Sequence, residues 1–239
     1  IPSLAGYAKL SDIPDVDGYA TLTALEDLAD DAIHLIDTDV TKNIPGDFDD
    51  LQAAMEWADH YSVAQGRTLT FKLADDTYTF AGTFAPIHRD GGRINIIGNT
   101  TDPSQVVLDF PNGGGIFVRM GRLGLLDGVT VKGAKNVATN LQSHGIQAVD
   151  GAVIRLGTKV VVDGFPLAGV RAGFNSFIFA QGVTSKNNSL DGFQAGDGGI
   201  IITNSAVAQS NSRHGFSAQI GGVIDGTDMV ATSNGQNGI

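Results

Sequence analysis

The second half of the chain repeats a short phrase at a nearly constant spacing. Copies of the form Gly-x-x-Ala begin at Gly145, Gly169, Gly192 and Gly215, and a further copy begins at Gly238. The steps between them are 24, 23, 23 and 23 residues. A fixed period in this range is typical of a solenoid, in which each repeat is one structural unit and neighbouring repeats stack to bury a shared core.

Alignment of the copies predicts which side chains point inward. The expected core ladders are Ile146, Val170, Phe193, Phe216 and Ile239; Ala148, Ala172, Ala195 and Ala218; Ile154, Ile178, Ile201 and Ile224; and, on a third strand, Val160, Thr184, Val207 and Val230. A polar column lies between the first two ladders and is predicted to face water, because strand side chains alternate: Gln147, Arg171, Gln194 and Ser217. Asn188, Asn211 and Asn234 recur four residues before the Gly. We expect them to stack at a corner that needs left-handed backbone, with a structural role.

Composition restricts the function classes. The net charge of −11 argues against nucleic acid as a partner, because phosphate binding needs a concentrated basic face. No cysteine is present, which excludes disulfides and thiolate metal sites, and the scattered histidines show no ligand spacing. No apolar run approaches the length of a membrane span. We therefore expect no metal, no cofactor and no membrane insertion.

Three regions follow one another along the chain. Residues 1–43 are predicted to be a connector with a short helix, in which an apolar heptad seam suits a trimeric stalk: Leu22, Leu25, Ala29, Ala32 and Ile36. A single amphipathic helix packed on its own domain is the equal alternative. Residues 44–110 are predicted to hold a capping helix, with Asp47 as its N-cap, and the entry strands of the solenoid. Residues 111–239 are predicted to be regular turns that continue past Ile239.

The phrases "DFDDLQAAMEWADHY", "ADDTYTF", "RINIIGN" and "GLLDGVTVKG", with the "GYAKLSDIPDVDGYA" leader, carry a family resemblance. The chain resembles the pectate-lyase-like domains of bacteriophage tail fibres and tailspikes. The resemblance implies an all-β fold, a right-handed, single-stranded parallel β-helix with three short strands per turn. It also implies a homotrimer on the virion tail, made in the host cytoplasm, that contacts bacterial surface polysaccharide and other tail or baseplate proteins.

The repeats offer one apolar column on the predicted outer side: Val153, Phe177, Ile200 and Val223. An exposed apolar stripe needs a partner, and cyclic association of identical chains would bury it. Coverage by the chain's own loops is the alternative. We expect this column to contribute to the oligomer interface.

No strong catalytic constellation is present. Asp191 and His214 occupy one column on adjacent turns, so they are expected within contact distance, with Arg171 nearby as a third candidate catalytic residue. An ordinary surface pair is the favoured interpretation. The polar column of Gln147, Arg171, Gln194 and Ser217 is the candidate glycan-binding surface. Function is therefore expected to be that of an adhesive virion fibre; the alternatives are a polysaccharide hydrolase or lyase on the same β-helix and, less favoured, a secreted cellular lyase or epimerase.

Overall fold

The computed structural model describes residues 33–137 and 142–238, and its regular secondary structure is mostly short strands. The strands are β1 (His34–Ile36), β2 (Val40–Ile44), β3 (Tyr61–Val63), β4 (Leu69–Leu73), β5 (Asp76–Thr79), β6 (Ile94–Ile97), β7 (Val106–Phe110), β8 (Ile116–Arg119), β9 (Arg122–Asp127), β10 (Val129–Gly133), β11 (Ile146–Val149), β12 (Val153–Leu156), β13 (Val160–Asp163), β14 (Val170–Ala172), β15 (Phe177–Phe179), β16 (Thr184–Lys186), β17 (Phe193–Ala195), β18 (Ile200–Ile202), β19 (Val207–Gln209), β20 (Phe216–Ala218), β21 (Val223–Asp225) and β22 (Val230–Thr232). Within residues 33–137 and 142–238, one α-helix, α1 (Leu51–Ala58), and two short 3-10 helices (Gly91–Arg93 and Pro103–Gln105) interrupt them.

Twenty of the described strands form three long parallel sheets that run along the molecule, and β1 pairs with β3 in a separate two-stranded parallel sheet. Sheet A contains β2, β4, β6, β9, β12, β15, β18 and β21; sheet B contains β5, β7, β10, β13, β16, β19 and β22; sheet C contains β8, β11, β14, β17 and β20. From β8 onward the chain visits sheets C, A and B in turn, so each circuit adds one strand to every sheet. The fold is therefore a right-handed parallel β-helix, as predicted.

The pairing register confirms two of the predicted strand columns and corrects the third. Ile146 pairs with Val170, which pairs with Phe193 and then Phe216; Ile154 and its partners behave likewise. On sheet B, however, Thr184 pairs with Val161, not Val160. From the paired position on sheet A to the paired position on sheet B, this turn has one residue more than the next: Ile154 to Val162 is eight residues, and Ile178 to Ser185 is seven. The inward ladder there is therefore Val162, Ser185, Ala208 and Ala231. Thr184 and Val207 are half-buried and Val230 is 45% exposed.

The predicted Asn stack is present, with Asn188 and Asn211 buried and Asn234 half-buried. The amide Nδ2 of Asn188 donates to Oδ1 of Asn211 at 2.8 Å, and Nδ2 of Asn211 donates to Oδ1 of Asn234 at 3.0 Å. The prediction of left-handed backbone at these three asparagines is wrong. The residues with positive φ are those immediately before them, Asn187, Ser210 and Ser233. The asparagine side chains turn inward and hold the corner together.

The stack also explains why each phrase begins with glycine. A Cβ on Gly192 would lie 2.7 Å from the Gly215 carbonyl oxygen and 2.8 Å from Nδ2 of Asn211. A Cβ on Gly215 would meet the equivalent atoms of the next turn. The space between each of these glycines and the next turn is therefore too small for a side chain, because contacts below about 3.0 Å require the neighbouring atoms to shift.

The entry end differs from the prediction in two details. Helix α1 buries Leu51, Ala54, Met55 and Ala58 in the common core. Its N-cap is Asp50, whose side chain accepts from the Ala53 amide at 2.8 Å; Asp47 instead accepts from the Asn43 amide at 2.7 Å. Ile36, predicted in a helical seam, lies buried in strand β1.

The remaining members of that seam, Leu22, Leu25, Ala29 and Ala32, lie outside the described residues, as does Ile239. Residues 34 onward form one compact unit, and β1 and β2 begin before residue 44, inside the range predicted as connector. The apolar column of sheet A points outward as predicted: Val153, Phe177 and Ile200 are half-buried and Val223 is 46% exposed.

Candidate functional site

The corner between sheets C and A carries an unusual set of residues. Met120, Asp150, Phe174, Asp197 and Ile220 all have left-handed backbone, with φ between 48° and 55°. Large side chains rarely adopt this conformation, which costs about 1–2 kcal/mol per residue outside glycine. Three of the five are large and apolar, and all three are exposed: Met120 by 72%, Phe174 by 50% and Ile220 by 78%. We call this column the corner ridge.

A pocket of about 440 Å³ opens beside the ridge on the outer face of sheet C. Its lining comes from three successive turns and comprises Phe117, Arg119, Gln142, Gln147, Val149, Asp150, Arg171 and Phe174. The outward positions of strands β8, β11 and β14 supply Phe117, Gln147 and Arg171, which are directly paired neighbours. The pocket therefore combines aromatic walls with charged and amide groups, the composition usual for a small-molecule site.

Ion pairs fix both arginines of the pocket. Nε of Arg119 lies 2.6 Å from Oδ2 of Asp150, and Nη2 of Arg171 lies 3.4 Å from Oδ2 of Asp197. The Arg171 guanidinium also stands 5.9 Å from the centre of the Phe174 ring, within cation–π range. Each arginine is balanced by an acid of the ridge, so the site is close to neutral and well suited to hydrogen bonding with an uncharged polar ligand.

Gln147 has an unmet hydrogen-bonding requirement. Its side chain is 2% exposed, and within the described part of the chain its Oε1 atom has no hydrogen-bond donor. Buried polar atoms are nearly always paired, because leaving one unpaired costs about 1–3 kcal/mol.

The predicted glycan-binding column is only partly brought together. Gln147 and Arg171 line the pocket, whereas Gln194 donates from Nε2 to Oδ2 of Asp191 at 3.1 Å. The prediction that the whole column faces water is wrong, since Gln147 is buried and Ser217 is 9% exposed. Ser217 accepts from Nε2 of Gln219 at 2.9 Å, which shows how neighbouring side chains fold over this face.

Asp191 is completely buried and is held by groups other than the His214 ring. Arg213 contacts both of its carboxylate oxygens, with Nε 2.7 Å from Oδ1, and the main-chain amide of His214 donates to Oδ1 at 3.1 Å. The predicted neighbours do touch, but through the His214 backbone. Asp191 thereby bridges two turns as the asparagine stack does, and the bond to Asp191 raises the pKa of Arg213.

His144, in the same column, is a buried neutral acceptor. Its Nδ1 atom accepts from the Ala168 amide at 3.2 Å. Burial, with a smaller effect from the charge of Arg171, lowers the pKa of His144 to about 3. The ring therefore stays uncharged at neutral pH and stabilises the turn that precedes Gln147.

Sequence reasoning missed Phe117, Arg119, Asp150, Phe174 and Arg213. A signal for Phe174 did exist, because Phe174, Asp197 and Ile220 each stand five residues after the repeated glycine, immediately before a turn. Large apolar residues in a turn column are unexpected and could have been singled out.

Within residues 33–137 and 142–238, no group of three or more His, Asp or Glu side chains is placed to hold a metal ion. In the same residues no helix has the length and apolar character needed to cross a membrane. No family model, curated protein or solved structure matches the chain.

Proposed function

We propose that this chain belongs to a virion tail fibre or tailspike that binds host-cell surface polysaccharide. The observation that carries the proposal is the pocket beside the corner ridge, with Phe174 exposed on a strained backbone next to Arg171 and Gln147. An aromatic face packs against the apolar face of a sugar ring, while amide and guanidinium groups bond its hydroxyls. A stiff β-helix would present such a pocket to a long polymer.

Strain at Phe174 supports a binding role more than a structural one. Its ring is half exposed, so it contributes little to the core, yet it occupies a conformation that Asn or Gly would adopt at lower cost. Backbone strain of this kind tends to cluster at ligand sites.

We further propose that three copies associate through the outer face of sheet A, on the virion tail outside the host cell. The support is the half-buried apolar column that Val153, Phe177, Ile200 and Val223 form across four turns. Light scattering on the intact protein tests this, and a monomeric mass would refute it.

The alternative is a depolymerase on the same scaffold. Glycoside hydrolysis uses two carboxyl groups about 5 to 9.5 Å apart. Among the described residues that line the pocket, Asp150 alone carries a carboxyl group, and it is paired with Arg119. Binding is therefore the better-supported activity of this pocket.

The test is incubation of the protein with surface polysaccharide from a panel of bacteria, followed by gel filtration and by assays for reducing ends and unsaturated sugars. Retained, uncut glycan is the expected result. Shortened glycan would replace the proposal with the depolymerase, and the absence of any interaction across the panel would refute it.

Two matched variants locate the site. Phe174→Asn removes the ring at a left-handed position, and Ile220→Asn makes the same change at the ridge two turns away, outside the pocket. Phe174→Asn should weaken glycan binding at least about tenfold, since stacking and cation–π contacts each contribute about 1 kcal/mol or more. It should leave thermal stability unchanged or raised. Equal loss of binding in both variants would contradict this placement.

A further inference from the structure

A second pocket, on another side of the β-helix, is distinctly basic. It has a volume of about 350 Å³ and is lined by Arg89, Asp90, Gly92, Arg93 and Arg122. The arginines come from separate parts of the chain: the loop before the first 3-10 helix, the end of that helix and the start of β9. Three positive charges face one negative charge, a net of +2 in a chain whose net charge is −11.

The one carboxylate in the pocket is already occupied. Asp90 accepts from Oγ of Ser62 at 2.8 Å and from the Val63 amide at 2.9 Å, and it pairs with Arg93 at 2.9 Å. Although burial raises the pKa of Asp90, the bonds from Ser62 and Val63 and the charge of Arg93 lower it below its ordinary value. Asp90 thus orients Arg93 and balances its charge, and it has little left to offer the other two arginines.

Arg122 is an exposed guanidinium without an ion-pair partner among the described residues. The glycines opposite it make room for this arrangement. A Cβ on Gly91 would collide with the Arg122 carbonyl, and a Cβ on Gly92 would lie 3.2 Å from the Arg122 Cδ atom. Arg89 makes a single long bond to the Asp59 carbonyl at 3.3 Å, which leaves most of its N–H groups available.

We propose that this pocket binds an oxyanion carried by an acidic saccharide, either a carboxylate or a sulfate. Guanidinium groups match the planar, forked geometry of such oxyanions and bind them by paired, charge-assisted hydrogen bonds. The volume is near the lower limit for ligand pockets, so one charged sugar unit fits better than an extended segment. The site is separate from the pocket at Phe174. The oxyanion site is argued from its arginines alone, whereas the choice of a saccharide as the carrier rests on the function proposed above.

The basic surface extends from the pocket over the first turns of sheet A, at the end of the apolar column proposed as the subunit contact. Arg122 pairs in register with Val153, and Arg155 shares with Arg122 and Gly92 a smaller cleft of about 40 Å³. Two adjacent turns therefore carry a guanidinium group beside the pocket. Because the protein as a whole repels polyanions, binding of one would report a local site.

The test uses three polymers with one backbone: dextran, carboxymethyl-dextran and dextran sulfate of equal length, titrated calorimetrically at low and at moderate salt. The charged polymers should bind, dextran should not, and the affinity should fall as salt rises. The stronger of the two charged polymers identifies carboxylate or sulfate as the preferred oxyanion. Binding of dextran as tightly as its charged forms, or of neither charged form, would overturn the proposal.

Arg122→Gln removes the unpaired charge, and Arg67→Gln makes the same change at an exposed arginine outside the pocket. Arg122→Gln should weaken binding of the charged polymer about tenfold, because hydrogen bonds to charged groups are among the stronger ones. Arg67→Gln should leave it unchanged. Similar losses in both variants would mean that general charge attracts the polymer, and would also overturn the proposal. Circular dichroism checks that both variants fold alike.

Discussion

Replacing Asn211 by alanine should test whether the buried asparagine stack holds the β-helix together. The Asn211 side chain is 1% exposed. Its Oδ1 accepts from the main-chain amide of Asn188 at 3.1 Å and from Nδ2 of Asn188 at 2.8 Å. Its Nδ2 donates to the Ser185 carbonyl at 3.1 Å and to Oδ1 of Asn234 at 3.0 Å. The substitution thus removes four hydrogen bonds from a dry corner.

The expected cost follows from what each group loses. The Asn188 amide is left buried without its side-chain acceptor, at about 1–3 kcal/mol, and the other three bonds contribute about 0.5–1 kcal/mol each. A small void adds to this. We expect Asn211→Ala to lower the free energy of unfolding by about 4 kcal/mol, a large fraction of the stability of a typical domain.

Urea unfolding followed by far-UV circular dichroism measures the loss. Tryptophan fluorescence is a poorer probe, because the single Trp57 lies on α1 at the opposite end of the solenoid, where turns can stay folded while distant ones open. Asn204→Ala is the matched control. The Oδ1 atom of Asn204 accepts from the Thr227 amide at 2.9 Å at an exposed corner, so its loss should cost about 1 kcal/mol. If Asn211→Ala costs no more than Asn204→Ala, the stack is not what stabilises this corner.

Two other predictions concern buried charge. The pKa of His144 is lowered to about 3 by burial and by Arg171, from 6.5, so its stabilising contribution is complete above pH 6.5 and is lost as pH falls towards 3. The wild type should lose about 3 kcal/mol more than His144→Asn between pH 7 and pH 4 in urea titrations, and parallel profiles would contradict this. Arg213→Met leaves the fully buried Asp191 carboxylate without its ion pair and should cost about 3–5 kcal/mol in the same assay, most of it recovered in the double variant with Asp191→Asn. An additive double variant would show that the pair is not coupled.

The fold was largely predictable because the spacing of the repeats determines which residues of successive turns pair with one another. Once Gly145, Gly169 and Gly192 are aligned, strand alternation assigns the inward and outward positions of sheets A and C without further information. The predicted ladder of sheet B was wrong, because this turn has one additional residue between the paired positions of sheets A and B. Val161 therefore pairs with Thr184, the partner predicted for Val160. A slip of one residue exchanges the two faces of a strand. The prediction therefore assigned Thr184, Val207 and Val230 to the wrong face, whereas Val160 is buried as predicted.

The candidate site was less predictable, because it depends on what covers a strand as well as on which way the strand faces. Gln147 points outward yet is buried. Asp191 and His214 share a column, but the carboxylate reaches the main-chain amide and Arg213. Alternation determines a side chain's direction; its partners depend on rotamers and loops that carry no periodic signal.

The three corners of the β-helix differ in the residues that adopt left-handed backbone. The corner from sheet B to sheet C uses Gly164, Asn187, Ser210 and Ser233, and the corner from A to B uses Gly182, Ser205 and Asp228. These are small or polar residues that adopt the conformation readily. Only the ridge between C and A, among the described corners, places Met120, Phe174 and Ile220 there. Core packing does not explain this, because all three side chains are exposed. Left-handed backbone is thus adopted by small or polar residues at two corners and by large apolar residues at the third, where Asn175, Gly198 and Gly221 continue it for a second residue. It is at this third corner that the pocket opens. The strain therefore favours the ridge as the edge of the β-helix that meets a ligand.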